Sequence, residues 1–340
     1  MHPVVPRPSS NPSGNETTHP AVPQQPLGAL QFMSLTPPKM NSETKHICVC
    51  ICTYKRPKLL LRLLVEIEKQ ETQGLFTYSV VVADNDGARS AEPIVSRFTE
   101  ASSVPVVYCV QPEQNIGRTR NMAVENARGD FIAFIDDDEF PVNHWLLDLF
   151  KTCNAHEVDG VLGPVRRHFD EEPPRWIIKG NFYERPIYPT GTPVAWREGR
   201  TGNVLLKKEL FKGCGEPFKP EFRGGEDTDF FRRMIEAGHK FIWSAEAIAY
   251  EVVPPARWKR SFMLKRALLR GAVTLKHPTF GVRDVVNSVI AVPIYTLALP
   301  FAFLLGQHRF MDLLIRLFDH LGKLLVLVGF NPVEGHYITT

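Results

Sequence analysis

Residues 131–139 read FIAFIDDDE, five apolar residues followed at once by four acidic ones. The apolar run has the length and composition of a buried strand in a parallel sheet. Four adjacent carboxylates repel one another and raise each other's pKa, so the turn is costly unless its charge is compensated. Two interpretations remain open. One is a bound divalent cation such as Mg²⁺, which takes one or two protein carboxylates with substrate phosphates; the other is a solvated acidic turn or a helix N-terminus.

The residues before this stretch alternate between strand and helix patterns. Apolar strands are predicted at 46–53, 78–83 and 105–110, and helices after Pro57 and at 116–128. This alternation predicts an α/β protein with a parallel sheet. Polar turns follow three of the strands, at 53–56, 84–86 and 136–138. Because ligands of such sheets bind beyond the carboxyl ends of the strands, we expect these turns to converge on one site.

The pattern is less regular after residue 140. Strands are predicted near 160–168, 201–206 and 240–244, and a helix at about 227–237. Residues 170–200 are rich in Pro, Trp, Tyr and Arg and predict a long loop. Loops of that length inside a compact domain usually have a function.

Composition sets limits on location and partners. The 340 residues carry a formal net charge of only +3. The overall charge therefore does not indicate binding to nucleic acid. The first 30 residues contain no apolar signal segment, and the six cysteines suggest no disulfide framework, so we expect a reduced, cytosolic catalytic domain. Cys48, Cys50 and Cys52 fall on one face of the first strand, where buried packing is favoured over a metal site.

Five motifs in order resemble glycosyltransferase family 2, the inverting GT-A enzymes. They are CICTYKRP at 50–57, VVADN at 81–85, NIG at 115–117 followed by RN at 120–121, AFIDDD at 133–138 and GEDTD at 225–229. The finer pattern is similar to bacterial exopolysaccharide enzymes, including the succinoglycan-assembly glucosyltransferases. The resemblance implies a GT-A fold, a UDP-sugar donor and a Mn²⁺ or Mg²⁺ cofactor.

The resemblance also implies a role for each matching residue. Nucleotide-sugar binding is expected of Thr53, Tyr54, Arg56, Asp84, Arg120, Asp136, Asp137 and Asn203. Tyr54 would lie near the uracil, and Asp84 would accept a hydrogen bond from the uracil or ribose. Asp138 would be the principal metal ligand. Relatives often carry a further ligating His after the last core strand; here Glu251 would replace it.

The expected catalytic pair is Glu226 and Asp227, with Asp227 as the general base. An inverting transfer needs a carboxylate within reach of the acceptor hydroxyl, opposite the leaving UDP. The alternative is that both are helix N-terminal acids favoured by the helix dipole, and both can hold. The Gln-x-x-Arg-Trp motif of polymerising relatives is missing, because Pro254 precedes Arg257-Trp258, so we expect single-sugar transfer.

The C-terminal third predicts membrane attachment. Residues 257–276 contain seven Lys or Arg and no acid, which suits an anionic leaflet, a pyrophosphate-linked acceptor or a solvated helix face. Residues 285–305 carry no charge and are long enough to span a bilayer. Residues 310–330 have an apolar face suited to the membrane surface. Spanning and surface attachment both remain open, and the basic stretch places the catalytic domain at the cytoplasmic face of the bacterial inner membrane.

The predicted organisation has five parts. They are a disordered proline-rich tail at 1–44, a catalytic domain at 45–256, a basic segment at 257–282, membrane helices at 283–330 and a tail at 331–340. The predicted function is transfer of one hexose, with glucose favoured, from a UDP-sugar to a polyprenyl-diphosphate-linked saccharide. The alternatives are a catalytically impaired membrane partner subunit and a nucleotidyltransferase, although a Gly-rich loop after the first strand is missing for the latter.

Overall fold

The computed structural model describes residues 44–222, 224–275 and 280–330. Nearly all of the proline-rich tail, Lys276 of the basic segment and the tail at 331–340 lie outside the described residues. The α/β class is confirmed. The strands are β1 Lys45–Thr53, β2 Phe76–Asp84, β3 Val106–Val110, β4 Phe131–Asp136, β5 Glu139–Pro141, β6 Gly160–Leu162, β7 Val165–His168, β8 Val204–Lys207, β9 Phe241–Trp243 and β10 Ala249–Val252. The helices are α1 Pro57–Glu68, α2 Glu92–Ala101, α3 Ile116–Asn126, α4 Trp145–His156, α5 Arg175–Lys179, α6 Glu226–Glu236, α7 Arg260–Thr274, α8 Val282–Leu304 and α9 Gln307–Leu327.

Seven strands form the main sheet in the order β3-β2-β1-β4-β8-β6-β9. The first four are parallel, as the βα alternation predicts, whereas β8 runs antiparallel to both of its neighbours. One hydrophobic core lies on each face of this sheet. Cys48 and Cys50 point into the second core, where they pack as small apolar residues. Their burial supports the packing interpretation of the alternating cysteines.

A second sheet of three short strands, β5-β10-β7, fixes the acidic turn. Strand β5 follows the turn directly and pairs antiparallel with β10, so Glu139 lies opposite Glu251. The Val252 backbone N–H also donates to the Asp138 carbonyl at 2.8 Å. The turn is therefore tied to the main sheet on one side and to β10 on the other, which limits its motion.

The sequence pattern missed two helices. Helix α2 lies between β2 and β3, where the sequence pattern predicts no helix, and α5 lies in the predicted 170–200 loop. Helix α2 buries only Val95 and Phe98 along its length, so its buried face is narrow. Its first turn contains Pro93, which suits a helix start, but one proline alone does not predict a helix.

The C-terminal helices pack on one another and on the catalytic domain. Helix α7 crosses α9 so closely that a Cβ at Gly271 would lie 2.1 Å from the Asp319 carbonyl oxygen. A Cβ at Gly322 would lie 2.3 Å from the Leu268 carbonyl oxygen. Two glycines therefore permit backbone contact between the helices. A small apolar cluster built around Ile177, Met263 and Met311 joins them to the 169–183 region.

Helix α8 is the one helix of the described residues that is long and apolar enough to cross a membrane. It contains Pro293 and Pro300, and its apolar side chains are largely exposed, with Leu297 at 74% and Phe301 at 70%. Helix α9 follows Gly306 and packs along α8. The length and composition of α8 agree with the apolar run predicted at 285–305.

Candidate active site

The three polar turns meet at one edge of the main sheet, as predicted. Thr53 lies opposite Asp84 in the β1–β2 pair, and Cys52 lies opposite Asp136 in the β1–β4 pair. A cavity of about 290 Å³, the donor cavity, opens at this edge. Its wall includes eight of the predicted residues, namely Thr53, Tyr54, Arg56, Arg120, Asp136, Asp137, Asp138 and Glu251.

Arginines and a hydroxyl group surround the carboxylates of the acidic turn. The Thr53 hydroxyl donates to Asp137 Oδ2 at 2.8 Å, and Arg56 Nη1 donates to Asp137 Oδ1 at 3.0 Å. Asp138 Oδ2 accepts from Arg56 Nη1 at 3.2 Å and from Arg257 Nη2 at 2.6 Å. Arg56, three residues beyond the end of β1, therefore joins two acids of the turn.

Arg257 and Arg185 belong to the site, although neither was among the predicted site residues. The short 3₁₀ helix Pro255–Trp258 directs Arg257 into the cavity, where Nη1 donates to Glu251 Oε1 at 2.7 Å. Arg185 comes from the long loop and donates to Glu251 Oε2 at 2.9 Å. The signal in the sequence for Arg257 is its place at the start of the basic stretch 257–276, close behind β10.

Arg120 on α3 pairs with Glu226 at the start of α6. Both side chains are buried, and Arg120 Nη2 also lies 3.8 Å from Asp136 Oδ1. This ion pair links the α3 side of the donor cavity to α6. Glu226 is therefore held by Arg120 and does not line the base cavity, which corrects its place in the predicted catalytic pair.

Asp227 lies on a neighbouring cavity of about 340 Å³, the base cavity. Gly224 and Gly225 precede α6 with φ of +152° and +85°, a backbone conformation that favours glycine. They turn the chain so that Asp227 becomes the second residue of α6 and faces the base cavity. Arg185 lines both the base cavity and the donor cavity, so the two share a wall.

Comparison with known proteins agrees with this geometry. A profile of glycosyl transferase family 2 matches residues 48–211. Succinoglycan biosynthesis protein ExoM of Rhizobium meliloti is 36% identical over 260 residues, which cover 74% of this chain and 82% of the relative. The chain belongs to glycosyltransferase family 2. Its mixed sheet with flanking helices and acidic turn is the GT-A fold of that family.

More distant relatives were also found. A chondroitin synthase of Escherichia coli is 24% identical over 244 residues, which cover 62% of this chain and 35% of that protein. The crystal structure of Staphylococcus aureus TarS 1–349 in complex with UDP-GlcNAc has 16% identity and a TM-score of 0.48, covering 85% of this chain and 93% of that one.

The predicted metal ligands of this glycosyltransferase differ in their availability. Asp138 Oδ1 accepts no hydrogen bond from the described residues, so Asp138 fits a hard cation as a single ligand. Glu251 does not fit, because both of its oxygens are held by Arg185 and Arg257. Its role as a ligand is therefore corrected to that of an anchor for the two arginines. Within 44–222, 224–275 and 280–330, no three His, Cys, Asp or Glu side chains form a metal-binding group.

Burial has a larger effect on the carboxyls of the glycosyltransferase site than mutual repulsion. Burial raises the pKa of Asp137 to about 6; Arg56 opposes this rise, and repulsion from Asp138 adds to it. Burial also raises the pKa of Glu139 well above its usual range, with repulsion from Asp136 as the next cause. Four adjacent acids predict the repulsion, whereas the burial depends on residues that are distant in the sequence.

Two predicted donor contacts need correction. Asp84 is fully buried below the cavity, where its carboxylate accepts from the Asp86 and Ala91 backbone N–H groups and the Tyr108 hydroxyl. Asn85 lines the cavity in its place.

Asn203 is also fully buried and lies away from the donor cavity. Its Oδ1 accepts from Trp145 Nε1 at 2.6 Å, and its Nδ2 donates to the Pro164 and Ala247 carbonyls at 2.9 and 2.7 Å. Asn203 therefore joins three segments below the site. The preceding Gly202 lies closer to the acidic turn, because a Cβ there would meet Asp136 Oδ2 at 3.0 Å.

Proposed function

We propose that this glycosyltransferase moves a single hexose, with glucose favoured, from a UDP-sugar to a lipid-linked oligosaccharide, with inversion at the anomeric carbon. The proposal includes bacterial exopolysaccharide assembly at the cytoplasmic face of the inner membrane. The observation that carries it is the pair of adjacent cavities. One holds an acidic turn among arginines, the other holds a carboxylate at a helix start, and Arg185 lines both.

The donor cavity suits a nucleoside diphosphate. Arg56, Arg185 and Arg257 present guanidinium groups in a partly buried site, where charge-assisted hydrogen bonds to phosphate are strong. Tyr54 offers an aromatic surface for the uracil on the same wall. With Mn²⁺ or Mg²⁺ on Asp138, the cation would neutralise charge that develops on the departing diphosphate.

Asp227 is proposed as the general base. It takes the proton from the acceptor hydroxyl, whose oxygen then forms the new bond to the anomeric carbon. The bond from the anomeric carbon to the diphosphate oxygen breaks on the opposite face, and UDP leaves with that electron pair. Arg200 lies on the base cavity with Asp227; burial lowers the pKa of Arg200 to about 10, and the nearby negative charge of Asp227 opposes that shift.

The proposed acceptor rests on the C-terminal helices and on the relative. Helix α8 exposes apolar side chains of the kind that enter a bilayer, and lipid-linked sugars are located there. The protein of Rhizobium meliloti that is 36% identical is named for succinoglycan biosynthesis. Both support a membrane-bound acceptor over a soluble one.

A thermal-shift screen on the full chain in detergent tests the donor and the metal together. The panel is UDP-glucose, UDP-galactose, UDP-N-acetylglucosamine and GDP-mannose, each with Mn²⁺ or EDTA. A ligand at about 100 times its Kd should stabilise the fold by about 2.7 kcal/mol. We expect stabilisation by a UDP-sugar with Mn²⁺, its loss in Asp138→Ala, and its retention in the control Glu171→Ala, an exposed acid outside both cavities.

A second measurement separates the enzyme from a partner subunit that has lost its chemistry. Slow release of free sugar from the stabilising UDP-sugar is expected without acceptor, because water can replace the acceptor hydroxyl. Binding without any sugar release, and without transfer to a membrane lipid fraction, would support the partner subunit. The absence of any nucleotide-sugar effect on folded protein would contradict the proposed donor.

A further inference from the structure

A cavity of about 1140 Å³ lies between the catalytic domain and the C-terminal helices. Residues around Trp196 and the Gly224-Gly225 turn form one wall, and α7 with the first turns of α8 forms the other. Small-molecule sites are roughly 300–1,000 Å³, so this space is sufficient for a ligand larger than one sugar. We call it the helix cavity.

The helix cavity carries an excess of positive charge. Four arginines line it, namely Arg197, Arg266, Arg270 and Arg283. Among the described residues, Arg270 pairs with Asp319, whereas the other three have no carboxylate partner. The one acid of the wall, Asp284, is used to cap α8, since the Gly281 N–H donates to Asp284 Oδ2 at 3.0 Å. Unpaired guanidinium groups on a common wall are suited to an anion with several oxygens.

The same wall also has an apolar part. Leu269, Val273, Phe280 and Val282 line the helix cavity beside the arginines. Val282 is 80% exposed and begins α8, whose apolar side chains continue outward at Val286, Val289 and Ile290. A ligand that satisfies both parts has a multiply charged anionic head and a hydrocarbon chain that runs along α8.

Shared wall residues connect this cavity to the catalytic site. Arg197 and Thr228 line both the helix cavity and the base cavity, next to Asp227. Arg266 lines both the helix cavity and the donor cavity. A sugar attached to an anion in the helix cavity therefore lies on the side from which Asp227 can be reached.

We propose that the helix cavity binds the diphosphate of the lipid-linked acceptor, with Arg197, Arg266 and Arg283 as its anion ligands. This inference rests on the proposed function and adds the residues that hold the acceptor. A diphosphate offers more charge and more oxygens to three guanidinium groups than a phospholipid headgroup with one phosphate. The two ligands share chemistry, so the experiment must separate them.

The test measures binding of farnesyl diphosphate to the full chain in detergent, with saturating UDP present to occupy the donor cavity. The variant is Arg197→Gln/Arg283→Gln, which leaves Arg266 and the donor cavity intact. Arg309→Gln is the matched control, because it removes an exposed positive charge from the C-terminal helices outside the helix cavity. We expect the double variant to weaken farnesyl diphosphate binding at least about tenfold, since two charge-assisted contacts are lost. The control should change it less than about twofold.

The second part of the test measures binding of the same proteins to vesicles with and without phosphatidylglycerol. If Arg197→Gln/Arg283→Gln and Arg309→Gln weaken vesicle binding equally, and farnesyl diphosphate binding is unchanged, the arginines serve an anionic lipid surface and the proposal is overturned. UDP-sugar binding is measured on each preparation. If the double variant still binds the UDP-sugar, its fold is intact. If the wild type itself does not bind the UDP-sugar, that result contradicts the proposed function and not the proposed acceptor site.

Discussion

Arg257 Nη2 donates to Asp138 Oδ2 at 2.6 Å, while Nη1 of the same guanidinium donates to Glu251 Oε1 at 2.7 Å. The side chain of Arg257 is 8% exposed, and those of both acids are 10% exposed. The positive charge of one arginine therefore compensates the negative charges of two carboxylates in a nearly buried site. Asp138 keeps its second oxygen for a cation, so the arginine does not exclude a metal.

Arg257→Ala should destabilise the protein strongly. Removing one partner of a buried ion pair leaves an uncompensated charge and costs about 3–5 kcal/mol. Urea unfolding of the full chain in detergent measures the loss, and Mn²⁺ should restore part of it by occupying the space beside Asp138. The control is Arg316→Ala, whose partner Asp312 is exposed and whose loss should cost about 0–1 kcal/mol. Equal effects of the two variants would contradict the proposed role of Arg257.

Asp137 should make stability depend on pH in an unusual direction. Its pKa in the folded protein, about 6, lies above the value of about 3.9 for an unfolded chain. The folded state then binds more protons than the unfolded state between these values, so the contribution of Asp137 to stability falls as pH rises through this range. The loss approaches about 3 kcal/mol above pH 6, since one pKa unit is about 1.4 kcal/mol.

The variant Asp137→Asn isolates this effect, because asparagine keeps the shape and does not titrate. The free energy of unfolding is measured for both proteins at pH 4.5 and pH 7. We expect the wild type to lose stability relative to Asp137→Asn over that interval. A difference that is constant with pH would show that Asp137 is ionised throughout.

Asp227→Asn should lower kcat by about 10²–10⁴ and leave UDP-sugar binding unchanged, because the base acts on the acceptor and not on the donor. Transfer to a lipid fraction and donor binding are measured on the same preparation. The control is Glu236→Gln at the exposed end of the same helix, which should have full activity. Loss of donor binding together with kcat would indicate a structural role for Asp227.

Gly271→Ala should destabilise the contact between α7 and α9. In a helix with free space, Gly to Ala stabilises by about 1 kcal/mol. Here the added Cβ would lie 2.1 Å from the Asp319 carbonyl oxygen, so the expected sign is reversed, with a loss of about 1–3 kcal/mol. Thermal unfolding gives the sign directly, and Lys265→Ala on the exposed face of α7 is the control. A stabilised Gly271→Ala protein would show that the two helices can separate.

Leu297→Asp/Phe301→Asp should release the chain from membranes. Each charge near the centre of a membrane helix costs about 2.5–3.5 kcal/mol, and both positions are exposed on α8. Flotation with vesicles measures attachment, and Leu297→Ala/Phe301→Ala is the control that keeps the helix uncharged. If the Leu297→Asp/Phe301→Asp variant still floats with vesicles, membrane binding would be assigned to α9 or to the basic residues of α7.

The polar residues that come directly after the apolar strands could be placed in the site from the sequence. Strands β1, β2 and β4 are apolar runs that end in polar residues, and parallel pairing brings such ends to one edge. Thr53, Arg56 and the acidic turn therefore meet as expected. Asp84 and Asn85 are neighbours on opposite sides of a strand end, so an error of one residue moves a side chain from the cavity wall into the core.

The arginine partners could not be predicted in the same way. Arg185 lies in a long loop, and Arg257 is 119 residues from Asp138 in the chain. Nothing local identifies which of 40 Lys and Arg residues enter the site. The same reason applies to β5, β7 and β10, because strands of three or four residues are defined by partners far away in sequence.

The backbone contact between α7 and α9 at Gly271 and Gly322 has a consequence for substrate choice. Helices that touch at their backbones cannot slide or tilt independently, so α7 holds Arg266 at a fixed height above α9. If these helices rest in the bilayer, Asp227 stands at one distance from the membrane plane. For the proposed lipid-linked acceptor, this fixed geometry would select saccharides by length, because the hydroxyl that receives the hexose must reach Asp227.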